Sequence, residues 1–193
     1  MCGINGFVTK NNSKNAITQL TEDISEMNNL IIHRGPDDDG VFIDSHENHN
    51  IAMGMRRLSI IDLQSGKQPI FSDDKQIVIV FNGETYNFLE LKKGLKSQGV
   101  HFNTNSDTEV ILKLYENEGI SAFNKLDGMF AFSIFDKRKN KIYIARDFFG
   151  EKPLYYTHNT QKFIWASELK SLINVLDYKP SISSNGLNHF LRL

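Results

Sequence analysis

The residues best equipped for chemistry stand at the start of the chain. Cys2 is its only cysteine and directly follows Met1. Removing Met1 would leave a thiol and a free α-amine in one residue. An α-amine titrates near ~8, well below the ~10.4 of a lysine, so it can be neutral at pH 7 and accept a proton. A thiol near ~8.5 is a weak nucleophile until a base makes it a thiolate. One residue would then supply nucleophile and base together, as an N-terminal threonine can. The plainer alternative is a small buried hydrophobe, the usual role of a lone cysteine. Gly3 and Gly6 permit close backbone approach, and Ile4, Phe7 and Val8 read as a strand that would anchor this end in a sheet.

Four other stretches carry candidate chemistry. Gln76 to Phe81 is almost continuously apolar and runs into Asn82-Gly83-Glu84. An amide side chain beside a free backbone N–H is what an oxyanion hole requires, each donor contributing roughly 3 kcal/mol in the transition state. Asn-Gly is equally the commonest hairpin turn. Ser106-Asp107-Thr108-Glu109 opens a helix. Ser106 and Glu109 have capping-box spacing, and first-turn carboxylates suit the helix dipole, but capping does not require Asp107. In Arg56-Arg57, successive side chains of an extended segment face opposite ways. One can reach a site and hold a carboxylate in two-pronged fashion, unless both are surface residues. Finally, Gly35-Pro36 breaks the preceding helix before Asp37-Asp38-Asp39, a solvated turn or a weaker cation candidate without the alternating calcium-loop pattern. His46 and His49 share a polar loop with no third ligand indicated, so exposed histidines are expected there.

The elements that must position these groups follow from periodicity. Ile17, Leu20, Ile24, Met27 and Ile31 recur at helical spacing. Residues 41–43 and 51–55 read as a hairpin, and residues 76–81 as a strand covered on both faces. Two helices follow. The first has Asn87 and Glu90 as caps and ends at Gly99; the second opens at Ser106 and closes at Gly119. From Leu126 the period becomes two: strands at 129–135 and 142–145, then a pair at 153–156 and 162–166. Ser167 is expected to cap a helix carrying Leu169, Leu172, Ile173 and Leu176. The tail from Tyr178 is polar and ends on Phe190-Leu191-Arg192-Leu193, which reads as a cut rather than a finished terminus. This order fits an α+β fold, two stacked antiparallel sheets with helices outside.

Composition, at 40% hydrophobic and 23% charged, is that of a globular domain. A net charge of −1 offers no field for nucleic acid or anionic lipid. One cysteine excludes an internal disulfide or a multi-cysteine zinc site, and a working thiol suits a reducing, cytoplasmic compartment. No apolar run approaches the ~20 residues of a membrane span, and the polar stretch 10–14 stands where a signal peptide would be apolar.

In order and spacing the chain resembles class II glutamine amidotransferases, specifically the glutaminase domain of glutamine-hydrolysing asparagine synthetases. The resemblance runs through Met1-Cys2-Gly3, His33 to Gly40, Arg57-Leu58-Ser59-Ile60, Asn82-Gly83-Glu84, Ser106-Asp107, Asp127 to Phe132, Arg146-Asp147, Lys152 to Tyr156 and Ala166 to Lys170. Thr85, where the family usually has an aliphatic residue, and Arg56 depart from it. The resemblance implies a four-layer αββα sandwich of the N-terminal-nucleophile (Ntn) hydrolase type. It implies catalysis by Cys2, with Asn82 and Gly83 holding the oxyanion of a γ-glutamyl thioester pathway. Arg57, Leu58, Ser59, Ile60, Ile61, Asn82, Gly83, Glu84 and Asp107 would bind glutamine. Arg57 would take the α-carboxylate. Asp107, Glu84 and carbonyls near Ile60 and Ile61 would take the α-ammonium. It further implies a glutaminase domain at 2–180, with 181–193 leading toward a synthetase domain that uses the ammonia to amidate aspartate. No metal or cofactor is expected in this chain, and ATP and magnesium belong with that second domain. A homodimer is possible within the family. Two alternatives stay open: an acceptor other than aspartate, such as a sugar or antibiotic precursor, and a binding or scaffold module if Met1 is retained and the Cys2 amine is locked in an amide.

Overall fold

The computed structural model describes residues 2–10, 16–45, 48–59, 62 and 66–192. In chain order its elements are β1 (Gly3–Lys10), α1 (Ala16–Leu30), β2 (Asp38–Ser45), β3 (His49–Arg57), β4 (Ile70–Phe71), β5 (Ile77–Thr85), α2 (Phe88–Ser97), α3 (Asp107–Glu118), β6 (Gly128–Asp136), β7 (Lys141–Arg146), β8 (Tyr155–His158), β9 (Lys162–Ala166), α4 (Leu169–Asn174) and α5 (Ser184–Phe190). The strands make two sheets, ordered β2-β3-β1-β9-β8 and β4-β5-β6-β7. Every pairing is antiparallel.

Side-chain alternation builds three apolar layers. Between the sheets lie Ile4, Met53, Met55, Val78, Val80, Phe135 and Trp165. The opposite face of the first sheet presents Phe7, Ala52 and Ile164 to Leu20, Ile24 and Met27 of α1 and Leu172 of α4. The opposite face of the second presents Ile79, Phe81 and Phe132 to Ile111, Leu112 and Tyr115 of α3. The result is helix, sheet, sheet, helix, as the order of elements led one to expect. Gly6 and Trp165 face each other across β1 and β9. A Cβ on Gly6 would lie 2.3 Å from the indole, so the glycine is what lets Trp165 lie over the strand.

Several local expectations are corrected. Ile17 is 60% exposed, so the buried stripe of α1 begins one turn later. β2 starts at Asp38 and draws two of the three consecutive carboxylates into a strand. β4 is a short strand with no expectation attached to it, and α5 lies in the tail read as polar. Ser167 does not cap α4. Its hydroxyl accepts the Ile4 N–H at 2.9 Å, and its own N–H donates to the Ile4 carbonyl at 2.8 Å. The Asn87 side chain bonds Lys125 and Asp127 rather than the first turn of α2. Among the described residues no helix is long and apolar enough to cross a membrane. His46 lies outside the described residues.

Candidate active site

Strand parity decides which side chains meet. Arg57 shares the inner face of β3 with Met53 and Met55, and Asn82 and Glu84 share that of β5 with Val78 and Val80. Cys2 stands two residues before inward-facing Ile4, and Gly3 pairs with Arg56. Nucleophile candidate, arginine and amide therefore converge between the sheets at one end. They line a cleft of about 590 Å³, open to solvent, together with Leu58, Gly83 and Asp107.

Cys2 is half-buried and held at two points. Its Sγ accepts the Leu58 N–H at 3.3 Å and approaches the Leu58 carbonyl at 3.6 Å as donor. Its carbonyl accepts the Arg34 Nε–H at 2.9 Å. Leu58 thus belongs to the site through its backbone. Ser59 is placed by Asp37, whose carboxylate accepts the Ser59 N–H at 2.8 Å. The Asp37 to Asp39 stretch is not a loosely solvated turn. Besides this bond, Asp38 accepts the Asp39 N–H, and Asp39 pairs with Arg56 at 3.4 Å.

Asn82 and Gly83 lie within a strand, not at a turn. β5 continues through Thr85, with Asn82 opposite Ala131 and Gly83 opposite Phe130. The N–H and C=O of Phe130 are both taken by Asp147, at 3.2 and 2.8 Å, so Phe130 turns its backbone groups away from β5. The amides of Phe81, Gly83 and Thr85 consequently share the opposite edge, beyond the short β4. Phe81 donates to the Gln68 side chain at 2.7 Å and Thr85 to Asp107 at 3.1 Å. The Gly83 N–H lies between them, facing the cleft. A Cβ there would sit 2.2 Å from the Met129 carbonyl, which leaves glycine as the residue that fits. Asn82 is 1% exposed, and neither atom of its amide has a hydrogen-bond partner among the described residues. A buried unpaired amide costs of order 1–3 kcal/mol. Its position in the cleft is a cradle for a polar group of a ligand.

Arg57 is buried, and its Nη2 donates to the Asp62 carbonyl at 2.6 Å. Arg56 turns to the other face and binds Asn28 and Asn29 of α1. Asp107 is buried at the start of α3 beneath Thr85. Burial pushes its carboxyl pKa upward and the Glu84 charge adds to this, against the bonds it accepts from the Thr85 and Thr108 amides. The expected capping box does not form. Ser106 accepts the Thr108 N–H at 3.1 Å, while Glu109 reaches back to the Asn103 and Thr104 amides and the Thr104 hydroxyl. Asp107 lines the cleft while its carboxylate accepts the Thr85 amide. Ile60, Ile61 and Met1 lie outside the described residues.

Sequence reasoning passed over three site residues. Gln68 bridges the Phe81 amide and the Thr108 hydroxyl at 3.3 Å. Lys152 is buried and lines the cleft. Arg34 holds the Cys2 carbonyl. Arg34 meets Cys2 across 32 residues, and Gln68 meets Phe81 across 13 and Thr108 across 40, with no helical or strand spacing to betray them. Arg34 and Lys152 do fall in stretches that carry the family resemblance, His33 to Gly40 and Lys152 to Tyr156, whereas Gln68 falls in none.

Residues 1–193 match the family model described as a glutamine amidotransferase domain. Asparagine synthetase [glutamine-hydrolyzing] 1 of Bacillus subtilis is 47% identical over 90% of this chain and 27% of its own length. A putative asparagine synthetase [glutamine-hydrolyzing] 2 of Methanocaldococcus jannaschii is 40% identical over all of this chain and 39% of its own length. The chain thus spans well under half of either relative. Among solved structures, glutamine phosphoribosylpyrophosphate amidotransferase from B. subtilis superposes with a TM-score of 0.68 at 22% identity, covering 88% of this chain and 42% of that one. This last likeness is one of fold.

Proposed function

The chain belongs to the glutamine amidotransferase domain family, and from that premise we propose that it hydrolyses glutamine to glutamate and ammonia at Cys2. The observation that carries this reading is the buried Asn82 amide, unpartnered among the described residues, beside Gly83 in the cleft that holds the Cys2 sulfur.

With Met1 removed, the Cys2 α-amine takes the thiol proton as Sγ attacks the side-chain amide carbon of glutamine. The tetrahedral oxyanion falls between Asn82 Nδ2 and the Gly83 N–H. Each such donor lowers the barrier by about 3 kcal/mol because it is fixed before charge develops. Collapse passes the proton from the amine to the leaving nitrogen, so ammonia departs and a γ-glutamyl thioester remains. Water then releases glutamate and restores the thiol. Arg57 is the fixed cation for the α-carboxylate. Asp107 and Glu84 are the fixed anions for the α-ammonium, and Leu58 lines the cleft beside them.

Residues 2–180 constitute the glutaminase unit, and 181–193 lead toward the rest of the protein. By likeness to the synthetases, the ammonia serves ATP- and magnesium-dependent amidation of aspartate to asparagine in a further domain, in the cytoplasm. The hydrolysis itself, as written, uses this chain's own groups. Cys2→Ala is expected to abolish ammonia release from glutamine while the circular dichroism melt stays close to wild type. Undiminished release would overturn the reading.

A further inference from the structure

Resting on that reading, we propose that Glu168 is a positioning residue: it fixes Arg34, and Arg34 fixes the backbone of Cys2. Two contacts set the direction of the Cys2 amine. Sγ is held by the main chain of Leu58, and the carbonyl is held by Arg34 Nε at 2.9 Å. With both ends held, the Cα–C and Cα–Cβ rotations are fixed, and the amine can point in only one direction. Releasing the carbonyl frees the first of these rotations, and thiol and amine together lose their aim at the substrate amide.

Arg34 does not hold itself. Its side chain is 11% exposed, its Nη2 has no hydrogen-bond partner among the described residues, and Nη1 bonds Glu168 Oε1 at 3.2 Å. The same oxygen takes His33 Nε2 at 2.8 Å, and Lys170 approaches the other at 3.3 Å. His33 and Lys170 are about half exposed, and pairs of that kind are held weakly. The Arg34 contact is the one that leads inward. Burial would raise the Glu168 pKa, but the bonds from His33, Arg34 and Lys170 outweigh it and hold the carboxyl below the ordinary range. Ser167 adds a second anchor, with its two bonds to Ile4. A segment far along the chain thus secures the nucleophile through residues that do not themselves line the cleft.

Glu168→Ala and Glu168→Gln, alone and with Arg34→Ala, test this in the full-length protein with Met1 removed. Sub-ångström misplacement of a reacting group costs large rate factors. Glu168→Ala is therefore expected to lower kcat about tenfold with KM for glutamine within about twofold, and to slow alkylation of Cys2 by iodoacetamide. Glu168→Gln, which keeps an oxygen for Arg34, loses less and covers the case in which the alanine variant does not fold. In the Arg34→Ala background, Glu168→Ala has no further effect, because two residues acting through one contact are not additive. An unchanged kcat, a change in KM alone, or an equal further loss in the Arg34→Ala background would each overturn the proposal. If the wild type released no ammonia, the glutaminase reading would fall, while the alkylation series would still decide whether Glu168 positions Cys2.

Discussion

At the scale of single residues, the site holds charge and polarity in places that favour binding over stability. Asp107 shows the conflict. Its carboxyl pKa is raised in the folded protein, chiefly by burial, so the fold prefers it protonated. Stability from this group is lost as pH rises from the ~3.9 of an exposed aspartate through the raised value, and at neutral pH its charge is a cost. Asp107→Asn is accordingly expected to keep or raise the melting temperature while raising KM for glutamine at least about tenfold. The same shift predicts that in the wild type KM climbs on the acid side, starting at a higher pH than an exposed aspartate would set. A pH series of steady-state kinetics checks both. Thr85 carries a different cost. It is fully buried and its hydroxyl has no partner among the described residues. Thr85→Val keeps the amide that binds Asp107 and removes the unpaired oxygen, so a gain of about 1 kcal/mol with unchanged turnover is expected in denaturant melts.

At the scale of elements, the local signals were read well where one face of a helix or strand is buried, and poorly where a distant partner decides. The β2–β3 hairpin and the stripe Leu20, Ile24, Met27 were legible because their apolar period answers to one packing surface. Asn82-Gly83 reads locally as a turn as well as a donor pair. Its pairing with Ala131 and Phe130, fifty residues away, extends the strand instead. Ser167 reads as a cap and is instead bound to Ile4. Glu109 reads as half of a capping box and is instead the anchor of residues 103–104. That last contact makes a prediction for α3. Glu109→Gln weakens three bonds to one buried carboxylate and is expected to cost about 2 kcal/mol in denaturant melts. It should also raise KM, because the start of α3 carries Asp107.

At the scale of the whole molecule, the sandwich separates folding from chemistry. The site's donors sit at one end of the inter-sheet layer, while the layer's bulk, from Ile4 to Trp165, lies beyond them. Residues added ahead of Cys2, such as an uncleaved Met1, are therefore expected to leave the melting temperature unchanged while eliminating ammonia release. Intact mass and activity measured on the same sample check this. The architecture was legible from the order of strands and helices. The composition of the cleft was legible only in part, since Gln68, Lys152 and Arg34 reach it by tertiary placement alone. The central position of β1 has one more consequence. Chain ends ordinarily fray, but Gly3 pairs with Arg56 and, from Asn5 onward, the strand is flanked on both sides. An exopeptidase working inward from the terminus would meet a backbone already engaged one residue past the thiol. With Met1 removed as proposed, the sheet would stop further trimming just past the thiol.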